Sequence, residues 1–149
     1  MVYHLANMNI ARFRYEPDDP RLADFVDNLA LVNGLAEQAE GFVWRLKDDT
    51  GNAMAIRAYD DPRIILNLSV WTSIEALGTF AYRSQHVQYF RRRSEWFDPH
   101  SQPALALWWV REGELPTPLE ARQKLERLIA NGPTVYAFTF RQRFPAPEE

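Results

Sequence analysis

The sequence predicts an α+β domain in which helices cover an antiparallel sheet. Segments whose apolar residues alternate in twos are interleaved with segments at helical spacing. Proline, glycine and capping residues stand at the joints between them. The resulting order is β-α-β-β-α-α-β, followed by one more helix and strand.

Tyr3 to Phe13 alternates between two faces and reads as the first strand. After the break Glu16-Pro17-Asp18-Asp19-Pro20, a helix is expected from about Arg21 to Gln38. Leu22, Phe25, Val26, Leu29, Val32 and Leu35 form its stripe, with Asp19 as N-cap and Pro20 as first residue. Gly41 resets the chain before a short strand, Phe42 to Leu46. Asp48-Asp49-Thr50-Gly51-Asn52 is a turn, and Ala53 to Tyr59 reads as a further short strand. Arg63 to Trp71 is the clearest strand of the chain.

Thr72 and Glu75 stand at capping-box spacing, so a helix is expected to about Tyr82. Ser84 is placed to cap the next, which carries Val87, Phe90 and Trp96. Pro103 to Val110 is another strand. Thr117-Pro118-Leu119-Glu120 opens a helix that ends at Gly132, and Tyr136 to Phe144 alternates as a last strand. A β-α-β-β-α-β core with helices on one face is a ferredoxin-like sandwich. The expectation is one domain over residues 1–149, with its core at about 3–111 and a helix–strand extension at about 117–144.

Composition narrows the chemistry. With no cysteine among 149 residues, disulfides, thiolate metal sites and cysteine nucleophiles are excluded. A net charge of −3 supplies no overall positive field for nucleic acid. The longest apolar run, Ala104 to Val110, is too short for a membrane span, and Met1 to Ile10 shows no signal-peptide pattern. The expectation is a cytoplasmic protein with neither nucleic acid nor membrane as partner. No Gly-rich phosphate loop, Gly-x-Ser-x-Gly elbow or His-Glu-x-x-His occurs, and no cofactor is expected. Aromatic residues are 13% of the chain, which suits cores, interfaces and planar-ligand pockets alike.

Two strands carry the functional pattern. Ile64, Leu66, Leu68 and Val70 fall on one face, and Ile65, Asn67, Ser69 and Trp71 on the other. Ala6, Met8 and Ile10 form the matching apolar face of the first strand, against Leu5, Asn7, Asn9 and Ala11. In the last core strand, Leu105, Leu107 and Trp109 oppose Ala104, Ala106 and Trp108, with either set free to face the helices. The aliphatic face is expected under the helices. The amide-and-indole face then points away from them, as a polar-lined pocket or as a sheet-to-sheet dimer interface. Asn7, Asn9, Asn67, Ser69 and Trp71 are the candidate ligand-binding residues, with Trp44 lining or filling the same space.

The stretch from Asn67 through Trp71-Thr72-Ser73-Ile74-Glu75-Ala76-Leu77, followed by Arg83-Ser84-Gln85-His86, resembles the dimeric α/β-barrel superfamily. That superfamily includes antibiotic-biosynthesis and haem-degrading monooxygenases. The whole sequence is also similar to a family described only as a domain of unknown function. That likeness is carried by Leu5-Ala6-Asn7-Met8-Asn9-Ile10, Gly41-Phe42-Val43-Trp44-Arg45 and Leu105-Ala106-Leu107-Trp108-Trp109. The resemblance implies a homodimer whose sheets face each other, with a cavity in each protomer between sheet and helices. Asn7 or Asn9 matches the first-strand Asn of haem-degrading members. Their helical Trp position falls near Phe80, however, and His86 stands earlier than their haem ligand.

Other polar groups have plainer readings. His86 is the candidate catalytic residue, a general base, against packing at a helix junction. His4, His86 and His100 with Asp98 lack metal-ligand spacing, so no metal site is expected. Arg91-Arg92-Arg93 points to different sides of a helix, as surface pairs or with one arginine holding an anion. The Asp-Asp-Pro pairs at 18–20 and 60–62 are turn chemistry. Two functions stand side by side. One is a cofactor-independent monooxygenase or isomerase acting on a small aromatic or other planar ligand. The other is a non-catalytic structural or ligand-binding dimer.

Overall fold

The computed structural model describes residues 2–48, 54, 56–83 and 86–148, with the side chains of 83, 86, 89 and 90 excepted. Its strands are β1 (Tyr3–Arg12), β2 (Phe42–Arg45), β3 (Ile64–Trp71) and β4 (Leu105–Arg111). They form one antiparallel sheet in the order β2-β3-β1-β4, the ferredoxin-like arrangement. The helices are α1 (Ala23–Gln38), α2 (Ile74–Arg83), α3 (His86–Arg91), α4 (Arg93–Trp96) and α5 (Pro118–Asn131). A 3-10 turn over Pro20–Leu22 leads into α1, with Asp19 accepting from the Arg21 amide as expected.

Sequence-readable joints hold at the ends of α5 and α1. Thr117 accepts from the Glu120 amide, Pro118 is the first helical residue, and Gly132 ends the helix at φ 71°. Gly41 sits at φ 84°, and a Cβ there would lie 2.4 Å from the Ala76 methyl and 2.7 Å from Thr72 Oγ1. That close approach changes the start of α2. Thr72 is packed beneath Gly41, and Ser73 is the residue that accepts from the Ala76 amide, at 3.1 Å.

Register fixes which side chains share a face. Leu5 stands opposite Trp71 and Trp109, Asn7 opposite Ser69 and Leu107, and Asn9 opposite Asn67 and Leu105. Ala6, Met8 and Ile10 share the other face with Val70, Leu68 and Leu66, and with Trp108 and Ala106.

The aliphatic face is covered by a helix as expected, but the amide-and-indole face does not point away from helices. The aliphatic face lies under α5, whose Ala121, Leu125 and Leu128 join Ala6, Met8, Leu66, Leu68, Val70, Ala106, Trp108 and Val110 in one buried cluster. The amide-and-indole face looks toward α1, α2 and α4 instead, where Leu5, Trp71 and Leu107 pack with Ile74 and Leu77, and Phe13 with Leu22 and Trp96. The reason is the appended helix: its apolar positions at i, i+4 and i+7 match an all-aliphatic surface. The face that barrel closure would set between protomers is thus already buried within one.

Two expected strands do not form among the described residues. Residues 56–59 are irregular, and the turn at 49–52 lies outside the described residues. Among the described residues of Tyr136 to Phe144 only Phe138 pairs with the sheet, exchanging both backbone bonds with Leu107 at 2.8 Å on the outer edge of β4. The chain turns on either side, at Thr134–Ala137 and Thr139–Gln142. Its rings pack inward: Phe138 lies against Trp109 and Phe144, and Trp109 Nε1 donates to the Phe144 carbonyl at 2.9 Å.

Candidate functional site

Helix α1 spans the amide-bearing face without burying a single side chain. A helix held off its sheet leaves space, and a cavity lies beneath it in two connected parts. The narrow part, about 110 Å³, is walled by Asn7, Ser69, Trp71, Phe42, Leu77 and Phe80. The wide part, about 850 Å³, is walled by Phe25, Leu29, Ile65, Trp96 and Phe97, with Arg14, Arg91 and His100 among its polar lining. Asn9, Asn67, Val32, Asn33, Arg45 and Leu105 line both parts.

Five of the six candidate ligand-binding residues therefore meet in one cavity. Asn7 is 5% exposed and Ser69 6%, the two buried polar residues among those described. Asn67 stands open to the cavity, and Asn9 is half-buried beside it. Trp44 does not join them. Its partner in register is Val70, and it packs on the aliphatic face with Leu46 and Ala58. His86 begins α3, with its side chain outside what is described.

The hydrogen bonds of the narrow end leave one acceptor over. Ser69 Oγ accepts from Trp71 Nε1 at 2.9 Å and from Asn7 Nδ2 at 3.3 Å. Both lone pairs of the hydroxyl are then used, and its proton is the group it has left to offer. Asn7 Oδ1 is buried and has no hydrogen-bond partner among the described residues. Whichever way the amide is turned, one of its polar atoms meets Ser69 and the other meets no group of the described residues. Trp71 is fixed by aromatic neighbours, stacked on Phe80 at 5.3 Å and edge-on to Phe42 at 5.5 Å.

Charge collects at the wide end. Its one acidic lining residue among those described, Asp98, is taken up by Arg12 at 2.8 Å, which also holds Asp61 at 2.7 Å. The bond to Arg12, with a second from the Arg63 amide, keeps the Asp61 carboxyl below its ordinary range. Arg45 pairs with Glu37 of α1 at 2.9 Å, and Arg92 with Asp24 of α1 at 2.8 Å, tying that helix down at both ends. Arg14, Arg45 and Asn33 were not among the sequence candidates. Asn33 carried a signal, a lone amide beside Val32 on the inner side of α1.

Among the described residues no group of three or more His, Asp or Glu is placed to hold a metal ion, and no helix is long and apolar enough to cross a membrane. His100 lies at the wide cavity, while His4 stands opposite Val110 at the other end of β1.

No curated protein matches the sequence. Among solved structures, NE2512 of Nitrosomonas europaea, a protein of unknown function, aligns at TM-score 0.51 and 13% identity over 78% of this chain and 97% of its own. PA3566 of Pseudomonas aeruginosa aligns at 0.49 and 9% identity, over 76% and 98%. SnoaB of Streptomyces nogalater, a cofactor-independent oxygenase, aligns at 0.49 and 16% identity, again over 76% and 98%. At such identities the likeness to NE2512 speaks of fold alone. The family is settled by sequence: a family model matches residues 4–149, and the chain belongs to DUF3291, a domain of unknown function.

Proposed function

We propose that this protein binds a small planar ligand under α1 and acts on it as a cofactor-independent monooxygenase, with Asn7, Asn9, Asn67, Ser69 and Trp71 as the ligand-facing set. The observation that carries this reading is the buried Asn7 Oδ1, without a partner among the described residues beside the Ser69 hydroxyl and the Trp71 ring. Leaving such an acceptor unmet costs about 1–3 kcal/mol, and a protein keeps that arrangement where a ligand group completes it. A phenol or enol fits both needs, since its O–H donates to Asn7 Oδ1 while its oxygen accepts from Ser69.

The chemistry open to such a pair is proton positioning. The amide oxygen of Asn7 accepts from the neutral phenol but cannot take its proton, so that proton passes to solvent water. The Ser69 hydroxyl then donates to the electron-rich phenolate, which reacts with dioxygen at the para carbon. The C–H and O–H hydrogens leave with one oxygen atom as water, and the other oxygen remains in the quinone. An isomerase would use the same contacts to move a proton along an enol. The resemblance of the Asn67 to His86 stretch to antibiotic-biosynthesis monooxygenases supports the first of these.

Oxygen uptake with an electron-rich phenol, lost in Asn67→Leu, is the expected result. Asn67 faces the cavity, so the variant should keep its circular dichroism and unfolding midpoint. The absence of turnover across a broad panel of hydroxylated aromatics would sink the proposal.

One observation favours the second reading, a ligand-binding or structural dimer without chemistry. The narrow end holds only about 110 Å³, well under the roughly 300 Å³ of an ordinary ligand pocket. The adjoining 850 Å³ exceeds that size, so ligand binding stands under both readings. The dimer that the resemblance implies would use surfaces other than the aliphatic sheet face, which α5 occupies.

A further inference from the structure

We propose that the wide part of the cavity receives an apolar organic anion, its acid group held at Arg14 and Arg91 and its body laid against Phe25, Leu29, Val32 and Ile65. This names the ligand class for the cavity already described and rests on that cavity, but on no reaction within it.

Charge bookkeeping over the lining carries the inference. In a chain of net charge −3, the described lining of this cavity holds Arg14, Arg45, Arg91 and Arg93 against one described acid, Asp98. Asp98 is already neutralised by Arg12, and Arg45 by Glu37. Arg14 donates from Nε to the Ser94 carbonyl at 2.7 Å, a neutral partner that leaves its charge uncompensated. The Arg91 side chain carries no hydrogen bond or ion pair among the described residues, whereas the adjacent Arg92 takes both Asp24 and Glu95. Two guanidinium groups without carboxylates therefore stand on the rim of a cavity whose inner walls are aromatic and aliphatic. A cation strongly prefers a paired carboxylate or phosphate, bound bidentately in the guanidinium fork. Apolar walls exclude a small hydrophilic anion and reward a molecule with a ring or chain. An acid group on an apolar body meets both conditions.

The test is direct binding, read without turnover. The probe is 1-anilinonaphthalene-8-sulfonate, a fused-ring anion whose fluorescence rises in apolar surroundings. Saturable binding is expected, weakened by salt and by at least about tenfold in the double variant Arg14→Ala/Arg91→Ala, the loss of two charge-assisted contacts. Leu29→Trp, which fills the cavity from α1, should abolish it while leaving the circular dichroism unchanged. Dodecanoate and dodecyl phosphate are then compared as competitors, and the stronger one identifies the acid group. Methyl dodecanoate and dodecylammonium should displace the probe at least tenfold less well. The inference is overturned if the ester competes as well as the acid, if no anion competes, or if the double variant or Leu29→Trp binds the probe like the parent. Because oxygen uptake plays no part here, loss of binding and loss of turnover are told apart.

Discussion

On one face of the sheet, Ala6, Met8, Leu68, Val70, Ala106 and Trp108 are each no more than 1% exposed, sealed by three residues of α5. On the other, Asn9, Asn67 and Leu105 look across a cavity of about 850 Å³ to an α1 with nothing buried. The same four strands and the same alternation produce both. The difference lies in the covering helix. A stripe of Ala, Leu and Leu descends to contact, while the amides beneath α1 keep an apolar helix from closing down, because an unpartnered amide resists dry burial. The sealed layer and the open cavity thus lie on opposite sides of one sheet.

The strongest way to break that comparison is the same truncation on each side. Leu125→Ala opens a hole in the sealed layer, where the leucine is 1% exposed, and should cost about 3 kcal/mol, within the 2–5 usual for a buried leucine. Leu29→Ala enlarges a space that already exists and should cost under about 1 kcal/mol. Urea unfolding midpoints of the two variants measure the difference. Equal losses would mean that α1 is packed as firmly as α5.

The alternation that sorts these faces was readable without coordinates, as were the caps at Asp19 and Thr117 and the stop at Gly132. Which face lay under which helix was not. An aliphatic face asks for an apolar cover but does not say which of two amphipathic helices supplies it. Only the register of the chain after β4 brings α5 there. The same ambiguity misplaced Trp44: a strand of four residues has too few side chains for its alternation to fix a side, and pairing with Val70 decides it. Tyr136 to Phe144 failed for a different reason. Alternating aromatics mark a strand only when a partner edge continues alongside, and here the pairing stops after Phe138.

The next effect separates a ligand amide from a structural one. Asn7→Leu removes the unmet acceptor together with one long bond, 3.3 Å, to Ser69. Replacing a half-satisfied buried group by an apolar one of similar size should leave stability within about 1 kcal/mol of the parent, or raise it. Oxygen uptake should disappear in the same protein. A loss beyond about 2 kcal/mol would make Asn7 part of the fold's own framework rather than of the ligand face.

The smallest expected effect distinguishes the two helical covers by their caps. The segment leading into α1 is capped by Asp19, whose carboxyl sits at about 2 rather than 3.8 because Arg21 bonds it through its side chain and through its backbone amide. A folded value below the unfolded one means that this support is complete above about pH 4 and is lost as pH falls through about 2. α5 is capped by the Thr117 hydroxyl, which does not titrate. Acid should therefore loosen the start of α1 before that of α5. Amide exchange between pH 4 and 2 would show protection falling first near Leu22 to Phe25 while Ala121 to Leu128 stay protected. Asp19→Asn keeps an acceptor for the Arg21 amide and should flatten that early loss. If both helices loosened together, the two covers would form one cooperative unit, despite the cavity under only one of them.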